Sequence, residues 1–200
     1  MISIIDYGLG NILAFRNVYE RLNIQVTVSK TAADLSRSTK LILPGVGSFD
    51  HAMERLDASG MRPAIEDLVL RQGTPVLGIC VGMQMLATSS EEGKRPGLGW
   101  VGGTVKRFRG DSLALPHMGW NDVMPTCSGG LFAGLERDAR FYFLHSYFFE
   151  CRDAQDSLAE ADYGGGYTCA VNHEQIYGVQ FHPEKSHHWG VQLLRNFAEM

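Results

Sequence analysis

Residues Pro75 to Leu86 constrain this chain more than any other stretch. A strand-length apolar run ends in Gly78-Ile79-Cys80-Val81-Gly82, and a helical pattern carrying Met83, Met85 and Leu86 follows at once. This is the cysteine counterpart of the G-x-S-x-G nucleophile elbow. A nucleophile on a sharp strand-to-helix turn sits in strained backbone and needs small neighbours, which Gly78 and Gly82 provide. A helix beginning there points free N–H groups and the positive end of its dipole at the sulfur, and both favour the reactive thiolate. A lone cysteine in an apolar stretch is otherwise a small buried hydrophobe, so the rest of the chain has to supply its partners.

The composition allows such a fold. Two hundred residues, 44% hydrophobic and 20% charged, are enough for a sizeable core without staples, and one domain over residues 1–200 is expected. The net charge of −4 leaves no nucleic-acid footprint. No run approaches the roughly 18 apolar residues of a membrane span. The N-terminus, Met1 to Tyr7, reads as a strand and not as a signal peptide. Cys80, Cys127, Cys151 and Cys169 are widely spaced, which argues against a zinc knuckle or a disulfide framework. A reducing, cytoplasmic setting is expected.

In chain order, Ile2 to Ile5 is a β-branched run, followed by the glycine-rich turn Asp6 to Asn11 and a helical pattern from Ile12 to Leu22. Gln25 to Val28 is the next strand, and this β-turn-α-β opening predicts a parallel sheet. Gly8-Leu9-Gly10 lacks the third glycine of a dinucleotide fingerprint, so a tight turn is expected there and not a phosphate cradle. Lys40 to Leu43 is the third strand and runs into Pro44-Gly45-Val46-Gly47. Two glycines around Val46 let the backbone approach a ligand and aim N–H groups at a developing oxyanion. Ala52 to Leu56 and Ala64 to Leu70 read as helical.

Beyond the elbow, Ser89 to Gly99 reads as a surface loop. Trp100 to Phe108, Leu113 to Val123, Arg140 to Glu150 and Thr168 to Val171 read as strands and turns, an antiparallel extension of the sheet. A further strand, Ile176 to Phe181, ends in His182-Pro183-Glu184. Pro183 breaks the ladder. His182 and Glu184, two apart, share one face if extended geometry persists, so that the carboxylate can orient the imidazole. They are the candidate base and orienter for Cys80. A last helix is expected over Val191 to Met200. No metal site is expected: the histidines lack H-E-x-x-H spacing, and His187 and His188 read as surface loop residues.

These motifs, in this order and spacing, resemble the class I glutamine amidotransferases. Within them the chain is most similar to the glutaminase subunits of imidazole glycerol phosphate synthase. Asp6-Tyr7-Gly8 with Gly10-Asn11, Met83 where related glutaminases commonly carry His, Pro116 to Asn121, Tyr142 to Tyr147, and Lys185-Ser186 carry that narrower likeness. The resemblance implies an α/β, three-layer, flavodoxin-like fold: a mixed, mainly parallel sheet with helices on both faces and an antiparallel extension. It implies Cys80 as nucleophile, His182 as base and Glu184 as orienting acid, with backbone oxyanion donors at Val81 and at the Gly45-Val46 peptide, which in this family flips inward. Gly47, Gln84, Ser146 and Tyr147 match positions around L-glutamine. Asn11, Trp120, Tyr142 and Lys185 match the face that meets a (β/α)₈ cyclase subunit in a heterodimer. That partner joins the ammonia to a ribulosyl-aminoimidazole-carboxamide nucleotide and gives imidazole glycerol phosphate and a purine precursor in histidine biosynthesis. No cofactor, nucleic acid or membrane is implied.

Some positions depart from the pattern: Val81 replaces the commoner Leu, Ala14 replaces a usual Ser, and His187-His188-Trp189 replaces small residues. The last is closer to paralogues that supply ammonia for amidine formation on bacterial surface sugars, which stays an alternative beside a cysteine hydrolase of another kind.

Overall fold

A computed structural model describes residues 1–110 and 113–200 of the chain. The first half alternates strand and helix: β1 (Ile2–Ile5), α1 (Ile12–Arg21), β2 (Val26–Ser29), β3 (Lys40–Gly45), α2 (Phe49–Ala58), α3 (Arg62–Glu66) with a π turn after it, β4 (Val76–Cys80) and α4 (Val81–Gln84). The second half is mostly strands: β5 (Ser89–Ser90), β6 (Gly103–Arg107), β7 (His117–Asp122), β8 (Met124–Pro125), β9 (Arg140–His145), β10 (Tyr147–Cys151), β11 (Ser157–Asp162), β12 (Gly166–His173) and β13 (Ile176–Val179). Helix α5 (His187–Glu199) closes it.

The main sheet runs β2-β1-β3-β4-β13-β12-β10-β6-β5, and its first five strands are parallel. Strands β1 and β4 are buried along their whole length, as a sheet covered on both faces requires of its central strands. The chain steps outward from β1 to β2 but inward from β3 to β4. Right-handed crossovers therefore put α1 and α2–α3 on opposite faces. Helix α5 packs beside α1, where Tyr19 Oη donates to the Leu194 carbonyl at 3.2 Å. Past β13 the strands turn antiparallel, through β12, β10 and β6. No helix is long and apolar enough to cross a membrane, among the described residues.

Several elements differ from expectation. Strands β7 and β9 leave the main sheet and pair with each other as a separate ribbon. The ribbon's inner face carries two buried phenylalanines: Phe141 stacks on Phe181 at 4.0 Å, and Phe143 meets the same ring at 5.5 Å. Burying those rings holds the ribbon over the carboxyl end of the sheet, not beside its edge. Strand β11 had no sequence assignment, because Leu158, Ala159, Glu160 and Ala161 favour helix intrinsically. Ala159 and Ala161 are buried while Glu160 and Asp162 are exposed, and this alternation on the edge of β12 decides for strand. The segment from Ser89 to Gly99 is not all surface loop: Ser89 and Ser90 form β5 beside β6, and Gly97 is buried. Helix α5 begins four residues early, so His187 and His188 are exposed residues of its first turn.

Candidate active site

Cys80 ends β4 with φ 57° and ψ −114°, a left-handed conformation that a β-substituted residue adopts only under constraint. The constraint is close packing at the carboxyl ends of β3 and β4, where Gly45 and Cys80 are register partners. A methyl group on Gly78 would stand 2.6 Å from the Gly82 carbonyl oxygen, and one on Gly82 would enter the Leu43 carbonyl. Both glycines are thus sterically required, as the motif predicts. The helix after Cys80 is shorter than expected. Helix α4 is one four-residue turn, so the macrodipole expected at the sulfur is reduced to the N–H groups of that turn. The cause lies in the 97–101 segment, whose Leu98, Gly99 and Trp100 N–H groups donate to the carbonyls of Met85, Ala87 and Leu86 at 2.8, 3.0 and 2.9 Å. Those acceptors are no longer free to continue a helix.

His182 follows β13 at the same end of the sheet. The backbone does not stay extended: Pro183–Lys185 is a 3₁₀ turn with His182 as its cap. The turn, not a strand face, brings Glu184 Oε1 to 3.0 Å from His182 Nδ1. The Glu184 side chain is 2% exposed, and its Oε2 has no hydrogen-bond partner among the described residues. The His182 backbone is pinned as well. Its N–H donates to the Tyr142 carbonyl at 2.9 Å, and its carbonyl accepts from Ser186 Oγ at 2.6 Å. Burial pushes His182 down, but the neighbouring Cys80 and the hydrogen-bonded Glu184 outweigh it and hold the imidazole up at about 10. Cys80 and His182 line one cavity, with Glu184 behind the imidazole, an arrangement that suits proton exchange between sulfur and imidazole.

This cavity has a volume of about 350 Å³. Val46, Gly47, Cys80, Val81, Gln84, Ser146, Tyr147 and Lys185 all line it, together with His182. Val46 and Gly47 N–H groups make no backbone hydrogen bond among the described residues, which leaves them free to serve a ligand. The cavity's size suits a small amino acid, and its walls combine apolar surface with a few convergent polar groups. Trp120 and Tyr142 face each other in register on the β7–β9 ribbon, and Lys185 Nζ lies 5.8 Å from the Tyr142 ring centroid. Asn11 caps α1 and is exposed.

The profile of the family described as "Glutamine amidotransferase class-I" matches residues 3–200. The chain belongs to the class I glutamine amidotransferases. Relatives support this over the whole length. The chain is 62% identical over 204 residues to the imidazole glycerol phosphate synthase subunit HisH of Bdellovibrio bacteriovorus, and 54% identical to that of Leptospira borgpetersenii. It is 44% identical to a protein of Pseudomonas aeruginosa named subunit HisH 2. All three alignments cover 100% of both chains. Among solved structures, one described as a glutamine amidotransferase superposes with a TM-score of 0.77 at 19% identity, covering 99% of this chain and 97% of that one. PurLQS from Thermotoga maritima superposes with a TM-score of 0.75 at 16% identity, covering 99% and 97%. At those identities the superpositions speak to the fold, the α/β fold expected of this amidotransferase.

Sequence reasoning gave no role to several residues of the amidotransferase site. Gln180 Nε2 donates to Cys80 Sγ at 3.8 Å, and Gln84 Nε2 donates to Gln180 Oε1 at 2.9 Å. Glu92 lines the cavity and accepts the Phe49 N–H at 2.8 Å. Leu144 and His145 line it as well. Gln180 and His145 occupy inward positions of strand ends, where polar residues stand out from the apolar pattern, and that was the available signal.

The buried histidines make stability acid-sensitive. Burial pushes His117 down to about 4 and, against the hydrogen bond to the Tyr147 carbonyl, His145 down to about 3. Below an unfolded value of about 6.5 the unfolded chain binds protons that the folded chain refuses. Their contribution is thus present above about 6.5 and lost as pH falls toward 4 and 3. His182 has the opposite sign, with a contribution present below about 6.5 and lost as pH rises toward 10. The urea midpoint is expected to drop between pH 7 and pH 5, and to drop less in His145→Phe.

Proposed function

We propose that this chain is the glutaminase subunit of an imidazole glycerol phosphate synthase, acting in the cytoplasm as one domain over residues 1–200. The observation that carries the proposal is Cys80 and the His182–Glu184 pair together at a glutamine-sized cavity, in a chain matched end to end by relatives of that name.

L-Glutamine enters with its side-chain amide over Cys80. His182 takes the thiol proton, and the sulfur attacks the amide carbon. The backbone N–H groups of Val81 and of Val46, once the Gly45-Val46 peptide points inward, hold the oxyanion, at about 3 kcal/mol per donor. His182 returns the proton to the nitrogen, the C–N bond breaks and ammonia leaves. Water activated by His182 then hydrolyses the γ-glutamyl thioester to glutamate and frees the sulfur. Glu184 holds the ring for both transfers. Gly47, Gln84, Ser146 and Tyr147 surround the substrate.

The cavity mouth supports a partner chain. Val46 and Leu144 line the cavity, are exposed, and continue onto Met118 and Trp120, a contiguous apolar rim around the site. Such a rim marks an interaction surface. Asn11, Trp120, Tyr142 and Lys185 border it, and a (β/α)₈ cyclase subunit seated there receives ammonia before it reaches water.

A second reading has its own observation. Trp120 stacks on His187 at 5.1 Å with 3° between the planes, and Trp189 lies 6.2 Å away. The tail residues that differ from the histidine enzymes thus build the partner face, where a surface-sugar cyclase homologue would bind. Separate reconstitution with each cyclase decides between them. Glutamine-dependent formation of imidazole glycerol phosphate with the histidine-pathway cyclase, and no glutaminase activation by the other, is the expected result. The reverse pattern would reassign the pathway.

A further inference from the structure

A chain of hydrogen bonds runs through the buried interior from the partner-facing ribbon to Cys80, and its proton positions follow from its two ends. At the inner end, His145 lies 2.7 Å through Nδ1 from the Tyr147 carbonyl. A carbonyl only accepts, so Nδ1 carries the hydrogen, and in the neutral ring Nε2 is bare. At the outer end, Asn121 Nδ2 donates to the Asp162 carbonyl at 2.7 Å, while Asn121 Oδ1 accepts the Asp122 N–H at 2.9 Å. That fixes the amide orientation. The same Nδ2 lies 3.4 Å from His117 Nε2, which must then accept, leaving the His117 hydrogen on Nδ1. His117 Nδ1 is 3.1 Å from His145 Nε2, a donor facing an acceptor. Two independent ends thus require the same arrangement, with both rings neutral and both hydrogens on Nδ1.

The chain continues to the sulfur. The Tyr147 carbonyl also accepts from Gln84 Nε2 at 3.3 Å, and Gln84 reaches Cys80 through Gln180. Aromatic rings close the histidines off from water: Tyr163 stacks on His117 at 4.0 Å, Phe143 at 4.9 Å, and Phe108 meets the edge of His145 at 5.3 Å. Tyr167 Oη stands 3.3 Å from both rings.

We infer that His117 and His145 are positioning residues that couple the partner-facing β7–β9 ribbon to the glutamine pocket, by holding the Tyr147 carbonyl and, through it, Gln84 and Gln180 against Cys80. Neither histidine touches the reacting atoms, and neither changes protonation during turnover. Their effect is on where the substrate strand sits. Movement of Asn121 on a docked partner is transmitted through the two imidazoles, each of which in its neutral form has one donor and one acceptor. This role rests on the glutaminase reading above.

The test uses the chain assembled with its cyclase subunit and measures glutaminase kinetics. His145→Phe keeps the aromatic packing and removes the donor. His145→Asn places its Nδ2 where Nδ1 stood and keeps the donor. The expected result is a KM for glutamine raised about tenfold in the Phe variant, the size of one lost hydrogen bond, with the Asn variant near wild type. A wild-type KM in the Phe variant would overturn the inference, and so would equal loss in both variants. Imidazole ¹⁵N spectra of the unaltered protein give a reading that no folding defect can blur: Nδ1–H tautomers are expected for His117 and His145, and an Nε2–H tautomer at either would overturn the relay. Absence of glutaminase activity in the unaltered complex would instead remove the glutaminase reading itself.

Discussion

Cys80→Ala is expected to abolish glutamine-dependent synthesis in the assembled complex, by about 10⁴–10⁶-fold, while synthesis from added ammonium continues at the wild-type rate. The separation follows from where the chemistry lies. In the proposed mechanism Cys80 makes and breaks the bond to the glutamyl carbon and has no part in what the partner does with ammonia. Alanine is smaller than cysteine and tolerates the same packing between Gly45 and the α4 turn, where Cys80 is 5% exposed. Its cost to the fold is the strain already present at φ 57°. The complex should therefore assemble, and ammonium should bypass the missing nucleophile. Loss of both activities would show that Cys80 acts through the fold and not through its sulfur.

The second large effect is expected from the partner alone. Isolated, the chain should turn over glutamine about 10²–10³-fold more slowly than in complex with the liganded cyclase, the size of one oxyanion donor supplied or withheld. The device is the Pro44–Gly47 segment. Gly47 has φ 86°, and a side chain built there would meet open space, so the Gly47 side of the segment is uncrowded. Gly45, one residue earlier, is locked against the backbone of Val81 and Gly82. The segment thus has one fixed and one free end, and Val46 between them is exposed on the rim proposed to meet the partner. A partner that contacts Val46 differently in the two loop states shifts the loop population by that difference. Initial-rate glutaminase assays with and without the liganded cyclase measure it. Equal rates would mean the oxyanion hole is complete without the partner.

The sequence carried the elbow and the His-Pro-Glu turn because both are local. Gly78, Gly82 and Pro183 act within a few residues of the atoms they position, and a spacing records that. Their joining was not local. Cys80 and His182 meet because β4 and β13 pair in parallel, with Ile79 opposite Val179, across nearly a hundred residues of intervening chain. The period-2 pattern of β7 and β9 announced strands but could not say which sheet they join, since inward Phe141 and Phe143 would suit any apolar face. The length of α4 was misjudged for a related reason. Met83, Met85 and Leu86 are all fully buried, so periodicity cannot separate one helical turn from three. The capture of the Met85, Leu86 and Ala87 carbonyls by residues 98–100 is a tertiary event. The partner-facing positions came from resemblance alone; their geometry, with Lys185 over Tyr142 and His187 on Trp120, became visible only in three dimensions.

The central claim is that Cys80 carries the glutamyl group on the way to ammonia. Peptide mass spectrometry of the assembled complex, acid-quenched during glutamine turnover, tests it directly. One γ-glutamyl group on the peptide containing Cys80, absent without glutamine and absent in Cys80→Ala, is the predicted result. Glutamate released with no adduct on Cys80, or with the adduct on Cys127, Cys151 or Cys169, would contradict the account.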